Sequence, residues 1–161
     1  MRIRPARPDQ LVVVGDVTAA AYAPFLDGPD DPYVARLRDA AARAREAELW
    51  VASPDDSDEV LGSVTDCPPG SPWREVAADG EGEFRMLSVA PGAQGQGVGA
   101  ALVEHVLQRW RERGAGAVVL SSLREMAGAH RLYGRLGFER LPERDWQPVP
   151  DVHLICFRRH L

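Results

Sequence analysis

The spacing of apolar residues changes several times along this chain, and each change marks an element. Val98, Leu102, Val106 and Trp110 recur every four residues through VGAALVEHVLQRWRERG, the spacing of one helix face. Residues 48–52 and 60–65 are short apolar runs, and the polar SPDDSDE between them predicts a hairpin. Further strands are predicted at 3–4, 83–89, 117–120, 138–140 and 152–159. Helices are predicted from Pro8-Asp9, over 33–48, over 98–113 and over 126–136, the last closed by Gly137 at a favoured left-handed cap position. The first of these runs against propensity, because Val12-Val13-Val14-Gly15 is poor helix material. Residues 66–82 hold three prolines and three glycines and read as a loop. Strands and helices alternating around a hairpin predict an α/β sheet of mixed direction.

The run FRMLSVAPGAQGQGVG at 84–99 carries the chemistry. An apolar strand enters a turn at Pro91-Gly92, and glycines at 95, 97 and 99 lead into the helix. Peptide N–H groups opening a helix lack internal partners and carry partial positive charge, so they attract phosphate. Glycines remove the side chains that keep a pyrophosphate away. A Walker loop requires a lysine that is absent here. The dinucleotide fingerprint is matched literally by Gly95, Gly97 and Ala100, but the strand at 117–120 ends in Ser121-Ser122, without the acid that would hold a ribose. A third pattern, Gln/Arg-x-x-Gly-x-Gly/Ala, is met by Gln94, Gly97 and Gly99.

LSVAPGAQGQGVGAALVEHVL, followed by AHRLYGRLGFER at 129–140 and preceded by IRPARPDQL at 3–11, resembles the GNAT superfamily of acyl-CoA-dependent N-acetyltransferases. The resemblance spans nearly the whole chain. It implies a single domain over 1–161, with a mixed, mostly antiparallel twisted sheet of about six to seven strands flanked by about four helices. It implies acetyl-CoA as co-substrate and direct attack of an amine on the thioester, without an acyl-enzyme. The strand at 83–89 splays from its neighbour in this family. Carried over, the main chain of Leu87, Ser88 and Val89 holds the pantetheine. Backbone groups of Gln94, Gly95, Gln96, Gly97, Val98, Gly99 and Ala100 hold the pyrophosphate.

Tyr133 matches the family's tyrosine. Its unperturbed pKa near 10 suits a proton donor to a departing thiolate; otherwise it packs the sulfur end of the coenzyme. Glu83 is the candidate base, directly or through water. Strand alternation places Glu83, Arg85, Leu87 and Val89 on one side, and Asp79 and Glu81 are acidic neighbours. The alternative is a solvated glutamate at a strand start. Met126 stands where many members carry an asparagine that contacts pantetheine, and it offers packing but no donor. The loop also lacks lysine and arginine, leaving N–H groups and the helix dipole, worth ~0.3–1 kcal/mol per contact, to bind phosphate at moderate affinity. That makes Gly97 and Gly99 the positions expected to tolerate a side chain least.

Other residues divide between functional and structural readings. His130 either relays a proton or sits on the helix surface, and His105 reads as structural. Arg131 and Arg135 either reach phosphates or solvate their helix. Cys67 has no visible histidine partner. The resemblance assigns the acceptor to segments 25–33, 66–82 and 142–151. There Asp27, Asp30 and Asp31 favour a cationic amine, and Trp73 and Trp146 are candidate walls.

Composition narrows the rest. At 161 residues, 45% hydrophobic and 27% charged, the chain is sized for one globular domain. No apolar run approaches the ~20 residues of a membrane helix, and the N-terminus shows no signal core, so a cytoplasmic location is expected. Cys67 and Cys156 read as free thiols and no metal site is expected. A net charge of −5 without a basic stripe argues against nucleic acid. The expected partner is a small-molecule or peptide amine, with no membrane or nucleic acid, and a homodimer is open. A non-catalytic acyl-CoA-binding or sensing module, or a nucleotide-binding oxidoreductase, are the alternatives.

Overall fold

The computed structural model describes residues 1–161. Its strands are β1 (Arg2–Pro5), β2 (Glu48–Ser53), β3 (Gly62–Asp66), β4 (Glu81–Val89), β5 (Ala117–Leu123), β6 (Glu139–Arg140) and β7 (Leu154–His160). Its helices are α1 (Leu11–Tyr22), α2 (Tyr33–Arg38), α3 (Ala40–Glu46), α4 (Val98–Glu112) and α5 (Ala127–Arg135). They build one seven-stranded sheet in the order β1-β2-β3-β4-β5-β7-β6. Every neighbouring pair is antiparallel except β4–β5. The expected mixed sheet is therefore present, with seven strands.

One helix more than expected arises because the run at 33–48 breaks. Asp39 leaves helical geometry at ψ +63°, and its carboxylate accepts the Ala42 N–H at 3.0 Å. Asp39 thus ends one helix and caps the next. The valine-rich α1 forms despite its propensity, since Val14 and Thr18 are buried against the sheet while Val12 stays 77% exposed. Tertiary burial outweighs the small intrinsic penalty of β-branched residues.

The sheet separates two apolar layers. On one face α4 presents Val98, Leu102, Val106 and Trp110, all buried, to Phe84, Val118 and Leu120, with Tyr133, Phe138 and Phe157 completing the cluster. Burying each such side chain contributes ~1.5–3 kcal/mol. Trp110 seats only because Gly82 has no side chain, as a Cβ there would lie 2.3 Å from the indole. Trp110 Nε1 donates to Asp66 at 2.7 Å, and burial pushes the Asp66 carboxyl up to about 6. On the other face α1, α2 and α3, with Leu37 of α2 buried, cover Leu49, Val51, Trp73 and Met86. Arg43 is wholly buried there without a carboxylate. It donates to Thr18, Thr65 and the Leu37 carbonyl, and burial lowers its pKa to about 10. No helix is long and apolar enough to cross a membrane. Cys67 and Cys156 are free and buried.

Candidate active site

Two departures from regular sheet geometry in β4 create a cleft. The first is a bulge. Ser63 faces Ser88 and Thr65 faces Arg85, so Met86 and Leu87 together oppose Val64. Met86 takes a φ of +51°, which a side-chain-bearing residue rarely adopts. The bulge also breaks the expected alternation. Arg85 and Met86 both meet Trp73 on the α1–α3 face, whereas Leu87 and Val89 pack towards α4. Glu83 and Arg85 therefore do not share a side with Leu87 and Val89.

The second departure is the parting of β4 and β5. They pair only through Glu81–Ala117, Gly82–Val118 and Glu83–Val119, and β5 continues with β7 alone. The parted strands flank a small cleft lined by Tyr22, Arg85, Leu87, Ser122, Met126 and Tyr133, among others. The splay that the resemblance implied is present.

At its far end β4 runs into the glycine loop. Gly95 and Gly97 adopt φ of +77° and +81°, and Gly97 is the N-cap of α4. No side chain caps this helix and no acidic residue occupies its first turn, so its N–H groups remain available. A Cβ on Gly97 would meet nothing within 4 Å, so backbone conformation rather than crowding demands glycine there. A Cβ on Gly99 would lie 3.1 Å from Leu132 of α5. Gly15, Gly62 and Gly82 have far less room, each with a neighbour within 2.5 Å of a Cβ, which corrects the ranking expected from the loop alone. Ser88 is tied away from the cleft through its hydroxyl, 3.0 Å from Ser63 and 3.3 Å from Thr18.

Tyr133, on α5, is 5% exposed and packs edge-on against Phe84, with Phe138 and Phe157 tilted against it. Burial raises its phenol above the ordinary tyrosine range. Tyr22, at the end of α1, reaches the cleft from the opposite wall, and burial raises it likewise. Neither hydroxyl hydrogen-bonds to the protein.

Glu83 is placed elsewhere. It is 0% exposed and its carboxylate accepts N–H bonds of 2.9–3.0 Å from Glu75, Val76 and Ala77. It does not line the cleft. It is no solvated strand-start residue either: it is the anchor of the 66–80 loop. The carboxylate associated with the cleft wall is Glu75, whose Oε1 lies 2.5 Å from Arg85 Nη1. Burial raises the Glu75 carboxyl above the usual range despite Arg85. The sequence alone assigns no role to Tyr22, Glu75, Arg85 or Ser122. A charged residue inside an apolar strand was the one available signal, at Arg85.

Several residues expected near the acceptor make structural contacts. Asp31 accepts N–H bonds from Asp27 and Tyr33, capping the turn before α2. Trp73 is buried beneath Arg36, 4.2 Å from its ring centroid, and donates to Glu46. The Trp146 main chain forms an isolated bridge with Leu154, and its side chain packs on the Val119, Leu141 and Cys156 cluster. Neither tryptophan lines the cleft. The His105 ring is tilted against Trp50 with centroids 4.3 Å apart, a structural contact.

Residues 16–138 match the family model described as the acetyltransferase (GNAT) family. The chain is 36% identical over 123 residues to the mycothiol acetyltransferase of Cellulomonas flavigena, covering 68% of this chain and 33% of that protein. It spans about a third to a half of the lengths of the curated relatives it matches. Among solved structures, an acetyltransferase of the GNAT family from Staphylococcus aureus Mu50 superposes with a TM-score of 0.71 at 14% identity, covering 99% of this chain and 98% of that one. The Salmonella typhimurium protein yncA, solved with its cofactor acetyl-CoA, gives 0.65 at 23% identity, covering 100% and 94%. The splayed strands, the uncapped glycine turn and the tyrosine helix thus coincide with a family match over most of the chain, which belongs to the GNAT family of acetyltransferases.

Proposed function

We propose that this chain is an N-acetyltransferase that moves the acetyl group of acetyl-CoA directly to a primary amine. The observation that carries this reading is the cleft between β4 and β5, with the Tyr133 hydroxyl inside it and the uncapped start of α4 at the end of β4. The residues present fit the coenzyme. Open space at Gly95 and Gly97 and free N–H groups suit a pyrophosphate bound by the main chain from Gln94 to Ala100. The unpaired edge of β4 leaves main-chain groups of Leu87, Ser88 and Val89 for the amides of a pantetheine arm. When bound, the coenzyme supplies an electrophilic thioester carbonyl and a thiolate leaving group.

The protein's own part is positioning and proton movement. Tyr133 donates its phenolic proton to the departing sulfur. The phenol is protonated at neutral pH, as an ordinary tyrosine is, and burial raises its pKa further. The acceptor approaches along the wall formed by Tyr22, Arg85 and Met86. Glu75, beside Arg85, takes the amine proton, a task eased by its raised pKa. Glu83 serves as a clamp on the loop that presents Glu75, since both of its carboxylate oxygens are already engaged by the N–H groups of Glu75, Val76 and Ala77.

Thiol release from acetyl-CoA against a panel of amines tests the reading, with calorimetric binding of acetyl-CoA, free coenzyme and NAD alongside. Acetyl-CoA binding with amine-dependent thiol release is the expected result. Binding without release for any amine would support a sensing module, and binding of NAD alone would overturn the coenzyme assignment.

A further inference from the structure

Met126 opens α5 at the cleft without any hydrogen-bond donor of its own, yet a donor stands beside it. Ser122 of β5 lines the same cleft, and its Oγ lies 3.8 Å from Met126 Sδ. His130 holds this serine from behind. Its Nε2 is 3.1 Å from Ser122 Oγ and 3.1 Å from the Leu123 carbonyl oxygen, while its ring packs on Phe157 at 5.1 Å.

These distances fix the tautomer. The Leu123 carbonyl only accepts, so the nitrogen 3.1 Å from it carries the hydrogen; two lone pairs would repel. Burial lowers the His130 pKa, so the ring is neutral at pH 7 and has a single N–H. Ser122 Oγ shares that hydrogen as an acceptor, which leaves its own O–H to donate. Within the protein that O–H finds only the Leu123 carbonyl at 3.5 Å and a weakly accepting thioether at 3.8 Å. A strong acceptor is missing on the cleft side. The same tautomer argues against a serine nucleophile, because Nε2 has no lone pair with which to take the serine proton.

We propose that Ser122, oriented by His130, donates a hydrogen bond to an amide carbonyl of the bound pantetheine arm, with His130 acting as a positioning residue. The proposal rests on the acetyl-CoA reading above. It is tested by titration calorimetry with two probes: acetyl-CoA, and the adenosine bisphosphate portion of the coenzyme, which has no pantetheine. Ser122→Ala should weaken acetyl-CoA about three- to tenfold, the worth of one net hydrogen bond, and leave the bisphosphate unchanged. His130→Phe keeps the aromatic packing and frees the hydroxyl, so it should weaken acetyl-CoA alone by about twofold. It carries the test if Ser122→Ala fails to fold.

Equal affinity of wild type and Ser122→Ala for acetyl-CoA would overturn the proposal while the function reading stands. Equal weakening of both probes would also overturn it, as a general disturbance of the fold. If wild-type protein does not bind acetyl-CoA, the function reading falls and this proposal falls with it.

Discussion

The two halves of β4 present opposite solutions to the same problem. From Glu81 to Glu83 the strand is paired to β5, Gly82 lies under the Trp110 ring, Glu81 meets Arg144, and the Glu83 carboxylate is saturated by loop N–H groups. From Met86 to Val89 the strand is bulged and its β5 side is unpaired; nearby, two phenols have no hydrogen-bond partner in the protein and the Ser122 O–H, held by His130, has no strong acceptor. Buried polar groups are normally satisfied, so the closed half behaves as a structural anchor. The open half accumulates unmet hydrogen-bonding capacity around one cleft, the feature that marks a place for a ligand. An acidic residue in a buried strand is therefore insufficient to identify a base; what its oxygens already accept decides the matter.

The sharpest way to break this contrast is at the loop that ends the open half. Gly97→Val forces a β-branched residue to φ +81° and places its side chain where the pyrophosphate is proposed to bind. Acetyl-CoA binding should disappear from calorimetry while the variant still melts cooperatively; retained binding would refute the loop assignment. In the closed half, Glu83→Gln replaces two acceptor oxygens by one and turns an amide N–H₂ against backbone donors. A loss of about 3 kcal/mol in denaturant unfolding is expected, with the shape of the pH–rate profile preserved. An altered profile with unchanged stability would restore Glu83 as the base.

Tyr133→Phe keeps the aromatic cluster and removes only the hydroxyl. Turnover at saturating donor should fall ~10²-fold, about 2.7 kcal/mol in barrier, with little change in melting. Unchanged turnover would reduce Tyr133 to packing. The smallest effect is expected at the wall of the cleft. Glu75 must be ionised to accept a proton, and its pKa is raised, so wild-type activity should decline with acid from a pH above the normal carboxylate range. Glu75→Gln should remove that acidic limb and lower kcat/KM by about tenfold. A limb that persists would assign the proton to another acceptor.

Much of the open half was legible before any coordinates. The glycine spacing after an apolar strand located the α4 start, and the apolar stripe of α4 faces the core as its spacing required. Gly137 closes α5 at φ +80°, as a left-handed cap. The bulge was not legible, because methionine carries no preference for the φ of +51° that Met86 adopts. The Asp39 break was hidden within an Ala- and Arg-rich run that reads as continuous helix. The buried setting of Glu83 was not legible for a different reason: its partners lie six to eight residues earlier, in a segment without periodicity.

The sequence by itself determined the order of elements, the glycine turn that opens α4 and the tyrosine of α5. Each depends on local spacing and on backbone conformations that particular residues favour. Tertiary structure alone decided which polar atoms are satisfied. It closed the Glu83 carboxylate inside a loop, left Tyr22 and Tyr133 facing one cleft, and set His130 behind Ser122. Satisfaction depends on which segments meet, and no periodicity along a single chain encodes that meeting.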